Sequence, residues 1–113
     1  MDANLIVISS FMLCGIMEMI LGLPLVYNKV KRNMLYGFRT RKTLSDDDIW
    51  EKANKKIGRE LLIIGLILTL GSILLLFIRD NFSIEIITII CLNLLFIPLI
   101  VLIIRGFSHL KTL

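Results

Sequence analysis

The sequence predicts an all-α integral membrane protein with three transmembrane helices and a cytoplasmic loop containing an amphipathic surface helix. Two observations carry that prediction. The first is apolarity: 57% of the 113 residues are hydrophobic and the mean hydropathy is +0.86, well above a soluble domain. The second is where the charge sits. Ten of the thirteen Lys and Arg residues fall between positions 28 and 60, Arg105 and Lys111 follow the last apolar run, and Arg79 stands alone in the opposite turn. Basic residues beside membrane helices stay cytoplasmic, which orients the N-terminus outside and the loop and C-terminus inside. The formal charge of +4 then points to the anionic inner leaflet and not to nucleic acid, because the basic residues flank the spans.

The whole chain, 1–113, reads as one membrane domain. Outside the loop about 80 residues remain, enough for three crossings at ~20 residues each. The spans fall at about 5–26, 61–78 and 84–104. The first begins Met1-Asp2 with no basic n-region or small-x-small cleavage site, so it reads as a retained helix and not a secretory signal. The second contains no charged residue. The third carries Pro98, which frees the carbonyl of Leu94 and is expected to kink the helix. Only Arg79 to Ser83 separate the last two spans, so these should pair as an antiparallel hairpin.

Small residues recur at helical spacing. Gly58, Leu62, Gly65, Thr69 and Ser72 share one face of span two, and Gly15, Glu18 and Gly22 share one face of span one. Small side chains let backbones approach, and hydroxyls can bond across a helix pair. Packing within one protomer is the expected use of these faces, and a homo-oligomer seam is the alternative.

Glu18 is the most informative residue at bilayer depth. A charge at the centre of a membrane helix costs roughly 2.5–3.5 kcal/mol, so a neutral carboxyl or a partner such as Asn93 or a loop arginine is expected. Its two readings are structural glue between helices and a proton- or ligand-responsive site. Cys14 and Cys91 fall mid-span and pack as small hydrophobes, and His109 stands alone, so no metal site and no cofactor site is expected.

The loop is more specific. Gly37 separates two aromatics, Tyr36 and Phe38, that suit a membrane interface and leads into Arg39-Thr40. Ser45-Asp46-Asp47-Asp48 reads as a helix start, with Ser45 as cap and the acids in the first turn. The following helix places Ile49, Trp50, Ala53 and Ile57 on one face and Glu51, Lys52, Lys55 and Lys56 toward the other, as a helix lying on the inner surface or beneath the bundle would. Arg39 presents a permanent charge on a planar fork and should seek a carboxylate, a phosphate or carbonyls.

The ordered set Asn33, Tyr36-Gly37-Phe38-Arg39-Thr40, Thr43-Leu44, Trp50, Asn54 and Gly58 resembles the SdpI/YfhL family of small bacterial membrane proteins. That resemblance implies a motif between the first two membrane helices and, from the family's namesake, immunity to a secreted toxic peptide. Arg32 and Arg41 stand where the family often has prolines, and the namesake has further membrane helices. The expected function is therefore non-enzymatic protection of the producing cell, through a toxin peptide or its membrane target. The alternatives are a sensor that captures a cytoplasmic regulator and a small transporter subunit that uses Glu18 for protons. Nothing in the chain resembles a phosphate-cradling loop or a nucleophile with an adjacent base.

Orientation is directly testable. A cysteine placed at position 3 should react with an impermeant reagent in intact cells, and one at position 43 should be spared. The opposite pattern would reverse the topology.

Overall fold

The computed structural model describes Asp2 to Leu113. Four helices follow in order: α1 (Ala3–Val26), α2 (Arg41–Ser45), α3 (Asp47–Ile78) and α4 (Ile84–Leu110), with one 3₁₀ turn, Arg79–Asn81, between the last two. Three of them, α1, α3 and α4, are long and apolar enough to cross a membrane, and the molecule is an elongated bundle of 51 × 23 × 19 Å.

Local chemistry sets each helix end. Asp2 caps α1 by accepting from the Leu5 amide at 2.7 Å. At its other end Asn28 adopts a positive φ of 55°, and the Lys29 amide reaches back to the Pro24 carbonyl at 2.8 Å while Asn28 reaches Leu25 at 3.3 Å. That is a Schellman stop in which asparagine takes the left-handed position usually given to glycine. Ser83 caps α4, which runs through Pro98 and ends six residues later than expected. Across the short turn, Asn4 of α1 donates to the carbonyls of Arg79 (3.0 Å) and Phe82 (3.1 Å), tying the far end of the bundle together.

Two expectations about the loop are corrected. No separate surface helix precedes span two, because residues 47–78 form one continuous helix of 32 residues. Nothing between Ile57 and Leu61 breaks a helix, and Gly58, the one weak helix former there, is buried in a helix contact. At 1.5 Å per residue α3 is about 48 Å long against a ~30 Å hydrocarbon core, so its first turns project beyond the bilayer on the loop side. The cap is also one residue later than Ser45. Asp46 accepts from the amides of Asp48 (2.7 Å) and Ile49 (3.3 Å), while Ser45 ends α2 and donates to the Lys42 carbonyl.

The bundle is built around α3. Its buried residues are Trp50, Ala53, Asn54, Ile57 and Gly58 toward the loop and Gly65, Leu68, Ser72 and Leu75 further along, with half-buried Leu61 and Leu62 between them. Against it α1 presents Ile8, Gly15, Gly22 and Leu25, three of them seven residues apart. A Cβ on Gly15 would lie 2.9 Å from the Gly65 carbonyl oxygen, and one on Gly22 would lie 2.7 Å from that of Gly58. The two glycine-bearing faces thus meet within the protomer. The hydroxyls do not cross between helices: Thr69 donates to Gly65 (2.8 Å) and Ser72 to Leu68 (2.7 Å), each one turn back on α3. Near the far end Ile8, Leu75, Ile87 and Cys91 join all three long helices in one buried cluster.

The glycines differ in what surrounds them, which permits a paired test. Gly58→Ala would drive its Cβ to 2.6 Å from Leu25 Cβ and 2.8 Å from the Gly22 carbonyl, whereas Gly71→Ala meets only the flexible tip of Leu94 at 3.0 Å. Thermal denaturation in detergent should show Gly58→Ala destabilised by ~1–3 kcal/mol and Gly71→Ala near wild type. Equal stability of the two variants would contradict the close α1–α3 contact.

Candidate functional site

Between α1 and α3 the loop folds into a clasp held by side chains that bond to backbone. Asn33 organises its first turn: Oδ1 accepts from the amides of Leu35 (2.8 Å) and Tyr36 (2.7 Å), and Nδ2 donates to the carbonyls of Lys31 and Tyr36. Tyr36 then donates its hydroxyl to the Leu21 carbonyl on α1. Burial pushes that phenol above its ordinary pKa, so it stays a donor.

Gly37 follows at φ +115°, a conformation that side chains rarely adopt. It also lies flat on α3, since a Cβ there would stand 2.8 Å from Asn54 Oδ1 and 2.9 Å from the Trp50 ring. Both requirements demand glycine.

Asn54 is the centre of the clasp. Only 2% exposed, it accepts from the Phe38 amide and donates to the carbonyls of Phe38 (3.3 Å) and Trp50 (3.0 Å). One amide side chain thereby meets both backbone groups of Phe38, and it is the partner given to the Phe38 amide. Trp50, also 2% exposed, donates its indole N–H to the Val30 carbonyl at 2.9 Å. It is covered by the loop. Thr40 and Thr43 form a reciprocal capping box for α2, and Thr43 also donates to the Phe38 carbonyl at 3.0 Å. Since Thr43 is fully buried, a labelling cysteine for the loop belongs at exposed Lys55 instead.

The C-terminal end of α4 closes the clasp from the other side. Phe38 packs edge-on against Phe107 at 5.3 Å, Gly106 lets Ile57 approach, and Lys42 donates to the Leu110 carbonyl at 2.8 Å. Neither Gly106 nor Phe107 was singled out in the sequence. A glycine directly before an aromatic just past an apolar run was the available signal.

Arg39 does not find a carboxylate among the described residues. Its guanidinium donates to the Met34 carbonyl within the same loop, and the side chain is otherwise exposed. The expected partnership of Glu18 with Asn93 is absent too. Asn93 donates to Ile89 on its own helix at 3.0 Å and is exposed, while Glu18 stands half-buried with no hydrogen-bond or ion-pair partner among the described residues. Glu18 lies seven residues from Leu25 on the flank of α1, so the two share a face.

Leu25 and Leu21 continue that face into an open apolar groove of about 340 Å³. Its other walls are Tyr36 to Arg39 from the loop and Ile57 and Leu61 from α3. The motif residues therefore do two things. Asn33, Gly37, Trp50, Asn54 and Thr43 build the clasp, Gly58 seats α1 against α3, and the clasp holds Tyr36, Phe38 and Arg39 along the groove, with Glu18 one turn before Leu21 on α1.

The sequence model of the SdpI/YfhL protein family matches residues 29–105, about two thirds of the chain, from the loop through α3 to the end of the apolar part of α4. No curated protein and no solved structure matches the chain.

The buried indole supplies a direct check on the clasp. Trp50 is the only tryptophan, so its fluorescence reports one site. Emission should be blue-shifted and poorly quenched by acrylamide, and Gly37→Ala should shift it red, because a β-carbon there costs ~1–3 kcal/mol in backbone strain alone. Water-exposed emission from the wild type would be incompatible with the clasp.

Proposed function

The chain belongs to the SdpI/YfhL protein family, and we propose on that ground that it is an immunity-type, non-enzymatic protein of the bacterial cell membrane. It would protect its own cell from a membrane-active toxic peptide. The family match carries this reading, because the matched motif is the part of the chain that builds the groove beside α1. That groove is open, has largely apolar walls and includes Arg39 in its lining, and Glu18 lies one turn before Leu21 along α1. A helical amphipathic peptide lying against α1 would find an apolar track with one cation and one acid to fix its register. The orientation proposed is the one that the basic residues favour, with the N-terminus outside and the loop and C-terminus in the cytoplasm.

A second reading, a sensor that captures a cytoplasmic regulator, is favoured by one observation. The projecting start of α3 exposes Glu51, Lys52, Lys55 and Arg59 beyond the bilayer. Proton-linked transport is less well supported, since the polar groups of Glu18 and Asn93 are not joined.

Expression in a sensitive bacterium should raise survival against the cognate toxic peptide, sought among the small secreted peptides encoded nearby. Arg39→Lys and Glu18→Gln should each weaken protection about ten-fold at unchanged protein abundance, the scale of one charge-assisted hydrogen bond, and Lys55→Ala should not. If cells with the intact protein die as readily as vector controls, the immunity reading fails and the sensor reading takes its place.

A further inference from the structure

We propose that the cleft between α3 and α4 binds one anionic phospholipid of the loop-side leaflet, with an acyl chain in its apolar groove and the phosphate on Arg105. The two helices touch closely above and below the cleft. Leu94 covers Gly71 on one side, and Ile57 fills the space over Gly106 on the other. Between these contacts they part and leave a groove of about 410 Å³ lined by Ile63, Ile64, Ile97, Pro98, Val101 and Leu102, with Glu60 and Arg105 at its mouth. From Pro98 to Arg105 the groove descends about 11 Å, most of the depth of one ~15 Å leaflet. Arg105 is shared with a second, polar cavity of about 280 Å³ formed with Lys56, Ser108, His109 and Thr112. An apolar slot at acyl depth thus runs directly into a basic, hydroxyl-bearing cup at headgroup depth.

The electrostatics of the mouth favour an anion. One oxygen of Glu60 accepts from Arg105 Nε at 2.7 Å and lies 3.3 Å from Lys56 Nζ, while its other oxygen is buried without a partner. A single carboxylate holding two cations leaves one positive charge over. It also fixes Arg105 through Nε, so the two terminal nitrogens, which make no hydrogen bond to the described residues, remain as a fork for phosphate oxygens. Basic pockets between membrane helices at the leaflet surface bind anionic headgroups for this reason. A zwitterionic lipid would fill the slot equally well but leave the excess charge of the cup uncompensated. This site is separate from the groove beside α1 and does not rest on the toxin reading.

The full chain, purified in mild detergent and equilibrated with equal amounts of phosphatidylglycerol and phosphatidylcholine, can be examined by native mass spectrometry. About one phosphatidylglycerol per protomer should survive stripping, and phosphatidylcholine should not. Arg105→Gln should lower retention about five-fold, the effect of one basic residue at an anionic surface, and the exposed Lys55→Gln should not. Val101→Trp keeps every charge, fills the groove and should expel the lipid, with circular dichroism confirming that the helices persist. Equal retention of the two lipids, equal effects of the two charge variants, or undiminished retention in Val101→Trp would each overturn the proposal. So would conversion of a dimer to a monomer by Val101→Trp, which would assign the groove to a second copy.

Discussion

Backbone contact between α1 and α3 at two glycine pairs is the constraint on which the rest of this structure depends. Inside a bilayer the apolar side chains gain little by leaving lipid for one another, so association relies on close packing. Gly15 against Gly65 and Gly22 against Gly58 provide it, with each missing Cβ replaced by a neighbouring backbone atom closer than 3 Å. Because the lower pair sits at the end of α1, the chain leaves the membrane already touching α3. The Schellman turn at Asn28 then sends it across the face of that same helix.

The loop meets a different requirement at the membrane surface. A chain folded tightly onto a helix must satisfy its own amides and carbonyls, and here side chains do so. Asn33 serves the first turn, Asn54 serves Phe38, Thr40 and Thr43 serve α2, and the Trp50 indole serves Val30. Most of the motif is therefore architecture. The groups at its edge are the exposed Arg39 side chain and the aromatic walls of the groove.

α4 is held differently. It is pinned at the far end by the Ile8, Leu75, Ile87 and Cys91 cluster and at the loop end by Phe107, Gly106 and Leu110. Pro98 lies between those pins, where α4 stands off from α3. The bundle is thus one tight pair with a third helix attached at both ends, and an arginine lines each of the two grooves described above, Arg39 the one beside α1 and Arg105 the one between α3 and α4.

Much was legible without coordinates. The three apolar runs, the basic loop and the spacing of Gly15, Gly22, Gly58 and Gly65 follow from the membrane as solvent, which requires long helices and rewards small residues where they meet. The loop motif was legible as a list of residues whose types suit turns and caps. Its assembly was not, because Asn54 and Phe38 are sixteen residues apart and only the fold brings the amide to that backbone. Tertiary structure also decided that residues 47–60 continue into the membrane helix. Their apolar face reads the same whether it lies on lipid or beneath a loop, and burial of Trp50 and Gly58 selected the second. Likewise the sequence by itself determined that Glu18 and Arg39 are costly residues needing a reason. The positions of α1, α3 and the loop decided that neither is spent on the other, since a hydrogen bond depends on angstrom-scale placement that helical periodicity does not encode.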